Sequence, residues 1–296
     1  QMELRHLRYF VAVAEALHFR RAAEKLGIQQ PPLSMQIRQL ELEIGTPLFL
    51  RSKRRISLTD AGRSFLEDAR NILSAAQDAT GRARTAALGE RGRLRVGMIN
   101  SAPFHPLILQ ILREYRNRFP GVWMTLEEAS TPELAESVVS RKLDLAFVRP
   151  LLDTPPALQS EHLFNEPVLV ALPSGHPLSR RRNIKLEALS EEPFVLFSRH
   201  IGSGLYDQII SACHRAGFSP RVTQEALQVT SIVNLVAAGL GVSLVPASMR
   251  KIHSEGIAYR PLVRDAPIAQ MSVIHRREES MQAVRNLLEL ALHLAQ

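Results

Sequence analysis

Residues His18 to Gly45, HFRRAAEKLGIQQPPLSMQIRQLELEIG, hold two helical patterns separated by a turn, and few folds accommodate that arrangement. Ala22, Ala23 and Leu26 give a short helix with a small-residue face that permits close packing. Gly27 follows, where a helix end favours a left-handed residue. Pro31 and Pro32 stand where the next helix begins, and proline is tolerated there because the first N–H groups have no partner inside the helix. Leu33, Ile37, Leu40 and Ile44 form a buried stripe; the opposite face carries Ser34, Gln36, Arg38 and Gln39. Upstream, Leu4, Leu7, Val11, Ala14 and Leu17 recur at helical spacing and predict a further helix with one buried face. Arginine and glutamine suit bidentate bonds to guanine and adenine edges, and serine reaches phosphate or base. The pattern therefore predicts a helix-turn-helix that places the Pro31–Ile44 helix in a major groove. A small helical bundle with a solvated polar face is the plainer alternative.

The next segment weighs against that alternative. TPLFLRSKRRISLT predicts two short strands with Arg51, Lys53, Arg54 and Arg55 at their tip, a cluster suited to a phosphate backbone. With Arg20, Gln29, Gln30, Pro31, Pro32, Ser34, Gln36 and Arg38 these complete the predicted contacts to double-stranded DNA. The charge is unevenly spread. Residues 1–58 hold ten Lys and Arg against five Asp and Glu, whereas 94–296 hold 21 against 19. Most of the net +8 thus lies where the motif lies, as expected of a nucleic-acid module.

Beyond the motif, 296 residues suffice for two or three domains with substantial cores. A hydrophobic share of 45% and a mean hydropathy of −0.05 predict a soluble globular chain, and no apolar run approaches membrane-spanning length. QMELRHLRYF does not read as a signal peptide, and the single cysteine, Cys213, fits a reducing, cytoplasmic location. Cys213 adjoins His214, but neighbouring helix positions point apart, so a structural thiol is expected. There is no metal-ligand cluster, no G-x-S-x-G elbow and no convincing phosphate loop. Neither metal nor cofactor is expected, and a two-lobed α/β enzyme is kept only as a distant alternative.

Thr59 can cap a helix, with Asp60 near its positive end. Phe65, Ala69, Ile72, Ala76, Ala79 and Ala83 then follow in alternating steps of four and three, the period of a coiled-coil seam. This predicts a dimerising helix over 59–89, with Gly81 as a weak point and Gly89 and Gly92 as a hinge. A helix packed on its own domain is the alternative.

From Leu94 the pattern alternates strand and helix. LRVGMI, WMTLEE and LDLAFV predict strands, separated by helices over 107–119 and 131–142. FVLFS, a helix over 205–217, RVTQEA, a helix over 230–238 and VSLVP repeat the cycle. FNEPVLVALPSGHPL adds a strand and a turn to the second half; IAQMSVIH and a helix over 279–294 return to the first. The fold class is therefore α/β, with a helix-turn-helix domain at 1–58, a linker helix at 59–89 and a two-lobed domain at 90–296. Lobe I is expected at about 90–163 and 266–296, lobe II at about 164–265.

Taken together, MELRHLRYFVAVAE, FRRAAEKLGIQQPPLSMQIRQLELEIGTPLF, RSKRRISLTDAG, LPSGHPL and GLGVSLVP resemble the LysR-type transcriptional regulators over essentially the whole chain. The resemblance implies a winged helix-turn-helix, a linker helix, a periplasmic-binding-protein-like effector domain and a homotetramer built as a dimer of dimers. Gln29 departs from the serine common there, which puts one cap or phosphate contact in question.

Ligands of open parallel sheets bind beyond the strands' carboxyl ends, where helix N-termini favour anions. Asn100, Ser101, Ala102, Thr131 and Arg149 meet that description in lobe I, and Gly202, Ser203, Gly204, Leu205 and Val229 in lobe II. Plain helix capping is the alternative for each serine and threonine; in the resembling family similar positions line the inter-lobe cleft. The chain is similar to regulators of aromatic-acid breakdown and, in about its first 60 residues, to acetoin-pathway activators. The expected effector is a small carboxylate, aromatic or derived from an aromatic, with a small non-aromatic acid such as acetate as the alternative. Effector closure is expected to shift tetramer shape, DNA bending and contact with RNA polymerase.

Overall fold

The computed structural model describes residues 2–51, 56–252, 255–264 and 266–296. The chain divides into two compact units, Gln1–Thr85 and Ala86–Gln296.

The first unit contains α1 (Leu4–Ala16), α2 (Phe19–Leu26), α3 (Gln30–Ile44), β1 (Phe49–Arg51), β2 (Ile56–Leu58) and most of α4 (Asp60–Ala87). Gly27 at φ 66° and Gly45 at φ 80° close α2 and α3 in the left-handed region, where glycine pays no Cβ penalty. The buried face of α1 is built on Leu7, Phe10, Val13 and Ala14. Leu4, the first residue of α1, stays 42% exposed, and Leu17, which turns left-handed and ends the helix, 48%. The core joins Phe10, Phe19, Phe49 and Phe65, with ring centroids 5.1 to 6.1 Å apart in tilted or edge-on pairs. β1 and β2 pair antiparallel from Phe49↔Leu58 to Arg51↔Ile56. Thr59 caps α4: its Oγ1 accepts from Gly62 N at 2.8 Å and donates to Pro47 O at 2.8 Å. The helix then runs 28 residues without a break at Gly81, about 42 Å at 1.5 Å per residue.

The second unit holds β3 (Arg91–Met98), α5 (Pro106–Arg118), β4 (Gly121–Glu128), α6 (Thr131–Val139), β5 (Leu145–Val148) and β6 (Leu158–Pro173). Then follow β7 (Pro193–Phe197), α7 (Ser203–Arg215), β8 (Arg221–Ala226), α8 (Val229–Ala237), β9 (Ser243–Pro246), β10 (Ile257–Pro261), β11 (Ile268–Arg276) and α9 (Gln282–Leu294). β3 pairs parallel with β4 and β5, as the βαβαβ pattern predicts. β11 is antiparallel to β5 and to β6, so the sheet is mixed rather than all parallel.

β6 is 16 residues long and changes the expected division. It pairs with β11, β10 and β9, so one strand runs through both lobes, and a boundary at 163/164 cuts its middle. The lobes are distinct in their packing. Val96, Phe147, Val273 and Leu287 belong to one apolar cluster, Val170, Leu196, Ile209 and Val233 to another. The expected glycine hinge is also corrected. Gly92 lies within β3, and a Cβ on Gly89 would stand 2.6 Å from Ala283 N, so Gly89 is packed against the start of α9. α6 stops at Val139, short of Lys142, and Arg141 turns left-handed at φ 62°.

Candidate functional site

On α3, Leu33, Ile37 and Leu40 are fully buried, as their spacing predicts. Gln29, Gln30, Pro31, Pro32 and Arg38 are exposed and Ser34 is half-buried. Gln36 is the exception. It lies three residues after Leu33, on the flank of the buried stripe, and its Oε1 is 2.8 Å from His6 Nε2. His6 Nδ1 accepts from Glu3 N at 3.0 Å, which leaves Nε2 to carry the proton and donate to Gln36. Gln36 therefore ties α3 to α1 instead of presenting its amide oxygen to a base edge.

Gln29 occupies the N-cap and makes no cap hydrogen bond. A capping side chain would seek the N–H of the second or third helical residue, and here those residues are Pro31 and Pro32, which have none. The departure from serine thus forfeits no cap bond. Two exposed apolar residues of α3, Met35 at 62% and Leu42 at 81%, escaped the sequence reading, which scored only polar residues on that face. Arg20 is exposed and reaches Glu24 Oε1 at 3.2 Å, a surface pair that holds it weakly. β1 carries the backbone of Arg51, while Lys53, Arg54 and Arg55 lie outside the described residues.

The heptad positions of α4 divide. Phe65 packs on Phe10 and Ala69 is fully buried, so these two serve the unit's own core. Ile72, Ala79 and Ala83 are exposed and Ala76 is half-buried. Ala76 also lines a groove of about 300 Å³ with Leu4, Arg8, Leu73, Gln77 and Thr80.

In the second unit a cavity of about 460 Å³ opens where the lobes face each other. Asn100, Ser101, Thr131, Arg149, Gly202, Leu205 and Val229 line it, from the segments just after β3 and β5 and the starts of α6, α7 and α8. Ile99, Glu128, Ala129, Ser130, Glu133, Phe197, His200, Ile201, Leu227 and Gln228 complete the wall and were not foreseen. Most of them follow a strand or precede a helix by one or two residues, so the strand-end rule, widened slightly, reaches them. Thr131 N donates to Ile201 O at 3.3 Å across the mouth. Thr131 is 3% exposed, and its Oγ1 has no hydrogen-bond partner among the described residues. The cap of α6 is supplied instead by Ser130, whose N and Oγ donate to Glu133 Oε2 at 2.9 and 2.6 Å. Those bonds hold the Glu133 carboxyl below its ordinary range.

Three expected members do not line this cavity. Ala102 is fully buried in the lobe I core. Ser203 opens α7 outside the lining, and a Cβ on Gly204 would stand 2.4 Å from Pro150 O. Gly204 is therefore needed for close backbone approach rather than for a ligand.

Arg149 lines the cavity, but its charge is already matched. Its Nη2 donates to Glu166 Oε1 at 3.0 Å and its Nη1 to Gln270 O at 3.0 Å; both ionic side chains are buried. Ser101 Oγ lies 3.5 Å from Nη2, at the outer limit of a hydrogen bond. Glu166 Oε2 accepts from Ser248 N at 2.9 Å, so the pair joins lobe I to lobe II. Burial lowers the Arg149 pKa from its ordinary value, opposed by Glu166. Arg149 is thus ion-paired and not the free cation that the sequence suggested, although its Nε has no hydrogen-bond partner among the described residues. Among the described residues no group of His, Cys, Asp and Glu is placed to hold a metal, and no helix is long and apolar enough to cross a membrane.

Residues 4–63 match the bacterial regulatory helix-turn-helix protein, lysR family, and residues 87–296 match the LysR substrate binding domain. The chain is 41% identical over 286 residues to the uncharacterized HTH-type transcriptional regulator YnfL of Escherichia coli K12, covering 96% of each. It is 39% identical to the HTH-type transcriptional regulator BudR of Raoultella terrigena, covering 98% of this chain and 100% of the relative. The crystal structure of full-length CbnR complexed with its target DNA superposes with a TM-score of 0.88 at 30% identity, covering all of both chains. These relatives are regulators, which sets the enzyme alternative aside. The helix-turn-helix, the two-lobed domain and these matches place the chain in the LysR family of DNA-binding transcriptional regulators.

Proposed function

We propose that this regulator binds a small organic carboxylate with an apolar, aromatic or aromatic-derived body in the inter-lobe cavity, and that the ligand controls its action at promoter DNA. The observation that carries the reading is the buried Thr131 Oγ1, unpartnered among the described residues at the N-terminal end of α6, on a residue that lines a cavity of about 460 Å³. A buried hydroxyl left unpaired costs about 1–3 kcal/mol, which a ligand acceptor would recover. Ser101 and the first turn of α8 offer further donors to the same space, and the N-terminal end of α6, whose first N–H groups are already bonded, adds its dipole. Ile99, Phe197, Ile201, Leu205, Leu227 and Val229 supply an apolar wall too extensive for acetate alone, and the volume lies within the range of about 300–1,000 Å³ usual for small-molecule sites.

The ligand acts by favouring one arrangement of the two lobes, and only to the extent that it binds that arrangement more tightly. We assign the dimer contact to the face of α4 that its own unit leaves open, Ile72, Ala76, Ala79 and Ala83, with the adjoining groove at Leu4 and Leu73. A dimer of dimers would then set the distance between α3 copies on promoter DNA and the access of RNA polymerase.

Differential scanning calorimetry of the full chain with benzoate, benzamide and acetate tests the ligand. At a hundredfold excess over Kd, benzoate should add ~2.7 kcal/mol to the second unit. At about 2–4 °C per kcal/mol for a unit of this size, its transition should rise about 5–10 °C. Benzamide should do nothing. Thr131→Val should remove the benzoate shift without lowering the unliganded transition, because the hydroxyl it deletes has no partner to lose. A full shift in Thr131→Val, or none with any acid, refutes the site; an equal shift with acetate refutes the aromatic body.

A further inference from the structure

We propose that lobe II carries a docking site for an acidic protein segment with an apolar anchor residue, in a cavity separate from the inter-lobe cleft. The cavity holds about 340 Å³ and is lined by Lys185, Leu186, Glu187, Ala212, Arg215, Ala216, Val263 and Arg264. None of these residues lines the cleft.

Local structure fixes the cations around it. Ile184 N donates to Pro261 O at 3.0 Å and Val263 N donates to Ile184 O at 2.9 Å, so the two stretches run side by side. Ile184 and Leu186 are buried, and Lys185 between them turns outward. Arg264 adopts φ 61°, a left-handed conformation in which glycine would be easier, yet the position carries a guanidinium. Arg215 ends α7 on the third side. Among the described residues none of Lys185, Arg215 and Arg264 forms an ion pair, and the exposed Arg180, Arg181 and Arg182 precede them unpaired as well. Glu187 is the one described carboxylate in the lining, against three cations.

This composition selects the partner. Guanidinium groups fit carboxylates in bidentate fashion, and the rim offers two of them. The floor of Leu186, Ala212 and Ala216, with Val263 38% exposed beside it, accepts an apolar side chain. A phosphate backbone presents no such side chain to the groove, whereas an acidic peptide with one aromatic or aliphatic anchor satisfies rim and floor together. The site stands independently of the effector, since it shares no side chain with the cleft.

The test is fluorescence anisotropy on the full chain with a short labelled peptide of Asp and Glu around one central Phe. Lys185→Ala combined with Arg264→Asn, which tolerates the left-handed backbone, should weaken binding about tenfold, the equivalent of ~1.4 kcal/mol. Replacing the central Phe by Ser should weaken it by a similar factor. Arg215→Gln on the exposed last turn carries the same expectation should the double variant fail to fold. Unchanged peptide affinity in folded variants overturns the proposal. An equal loss of affinity for random-sequence duplex DNA overturns it in favour of a nucleic-acid contact.

Discussion

Replacing Gln36 separates a structural tether from a base-reading contact on the same helix. Its Oε1 accepts a hydrogen bond from His6 Nε2 at 2.8 Å, and His6 is only 6% exposed. Gln36→Ala leaves that N–H short of a partner in a site that water reaches poorly. The net value of one such bond is about 1 kcal/mol, rising to as much as ~3 if the donor stays unsatisfied. For a unit spanning Gln1–Thr85, 1 kcal/mol corresponds to a fall of about 4–8 °C in Tm. Calorimetry should show that fall in the first unit's transition alone. Anisotropy titrations on an operator duplex first located by DNase footprinting, and on versions with single base pairs exchanged, should show weaker binding to every duplex by a similar factor. Arg38→Ala should do the reverse: Tm unchanged, and discrimination reduced by about 1–3 kcal/mol at one position. An unaltered Tm in Gln36→Ala, with selectivity lost at one base pair, would refute the assignment.

Further outcomes follow from groups placed elsewhere in the second unit. Gly204→Ala puts a Cβ 2.4 Å from Pro150 O, against backbone that cannot swing away, and should destabilise the unit by about 1–3 kcal/mol, read as a lower second calorimetric transition. Burial pushes the Cys213 thiol up to about 11, so iodoacetamide at neutral pH should leave it unmodified in the folded chain and label it fully in denaturant, read by mass spectrometry. Burial, reinforced by Arg149 and Lys251 and opposed by Glu166, lowers the His105 pKa below 6.5. The unfolded chain therefore protonates first, and stability falls as pH drops through 6.5 and levels off below the folded value. His105→Asn keeps an acceptor for Leu107 N and should flatten Tm against pH across that window.

Much of the first unit was legible because its signals are local. Helix ends at Gly27 and Gly45, the Thr59 cap and the stripe of Leu33, Ile37 and Leu40 each depend on residues within a few positions of one another. What could not be read there depends on tertiary distance. Gln36 is distinguishable from Arg38 only once His6, thirty positions away, is known to stand beside it. The α4 seam failed at its first two members for the same reason. A four-three spacing fixes a helix face but not what covers it, and Phe65 and Ala69 are covered by the aromatic core of their own unit.

The second unit shows the limit more sharply. Strand ends and helix starts were identifiable, so seven of the ten effector positions do line one cavity. The cavity's charge was not, because charge there is decided by pairs rather than by residue types. Arg149 follows β5 as expected, but Glu166 sits inside a strand that was assigned to the other lobe. Since β6 runs unbroken through both lobes, the chain can place a carboxylate against Arg149, behind the cavity wall, from the very strand that joins them. The proposed anionic ligand would consequently be met by hydroxyls, amides and helix ends, and not by a free cation. This makes the hydroxyl of Thr131, rather than the ion-paired guanidinium of Arg149, the group on which the proposed recognition of a carboxylate rests.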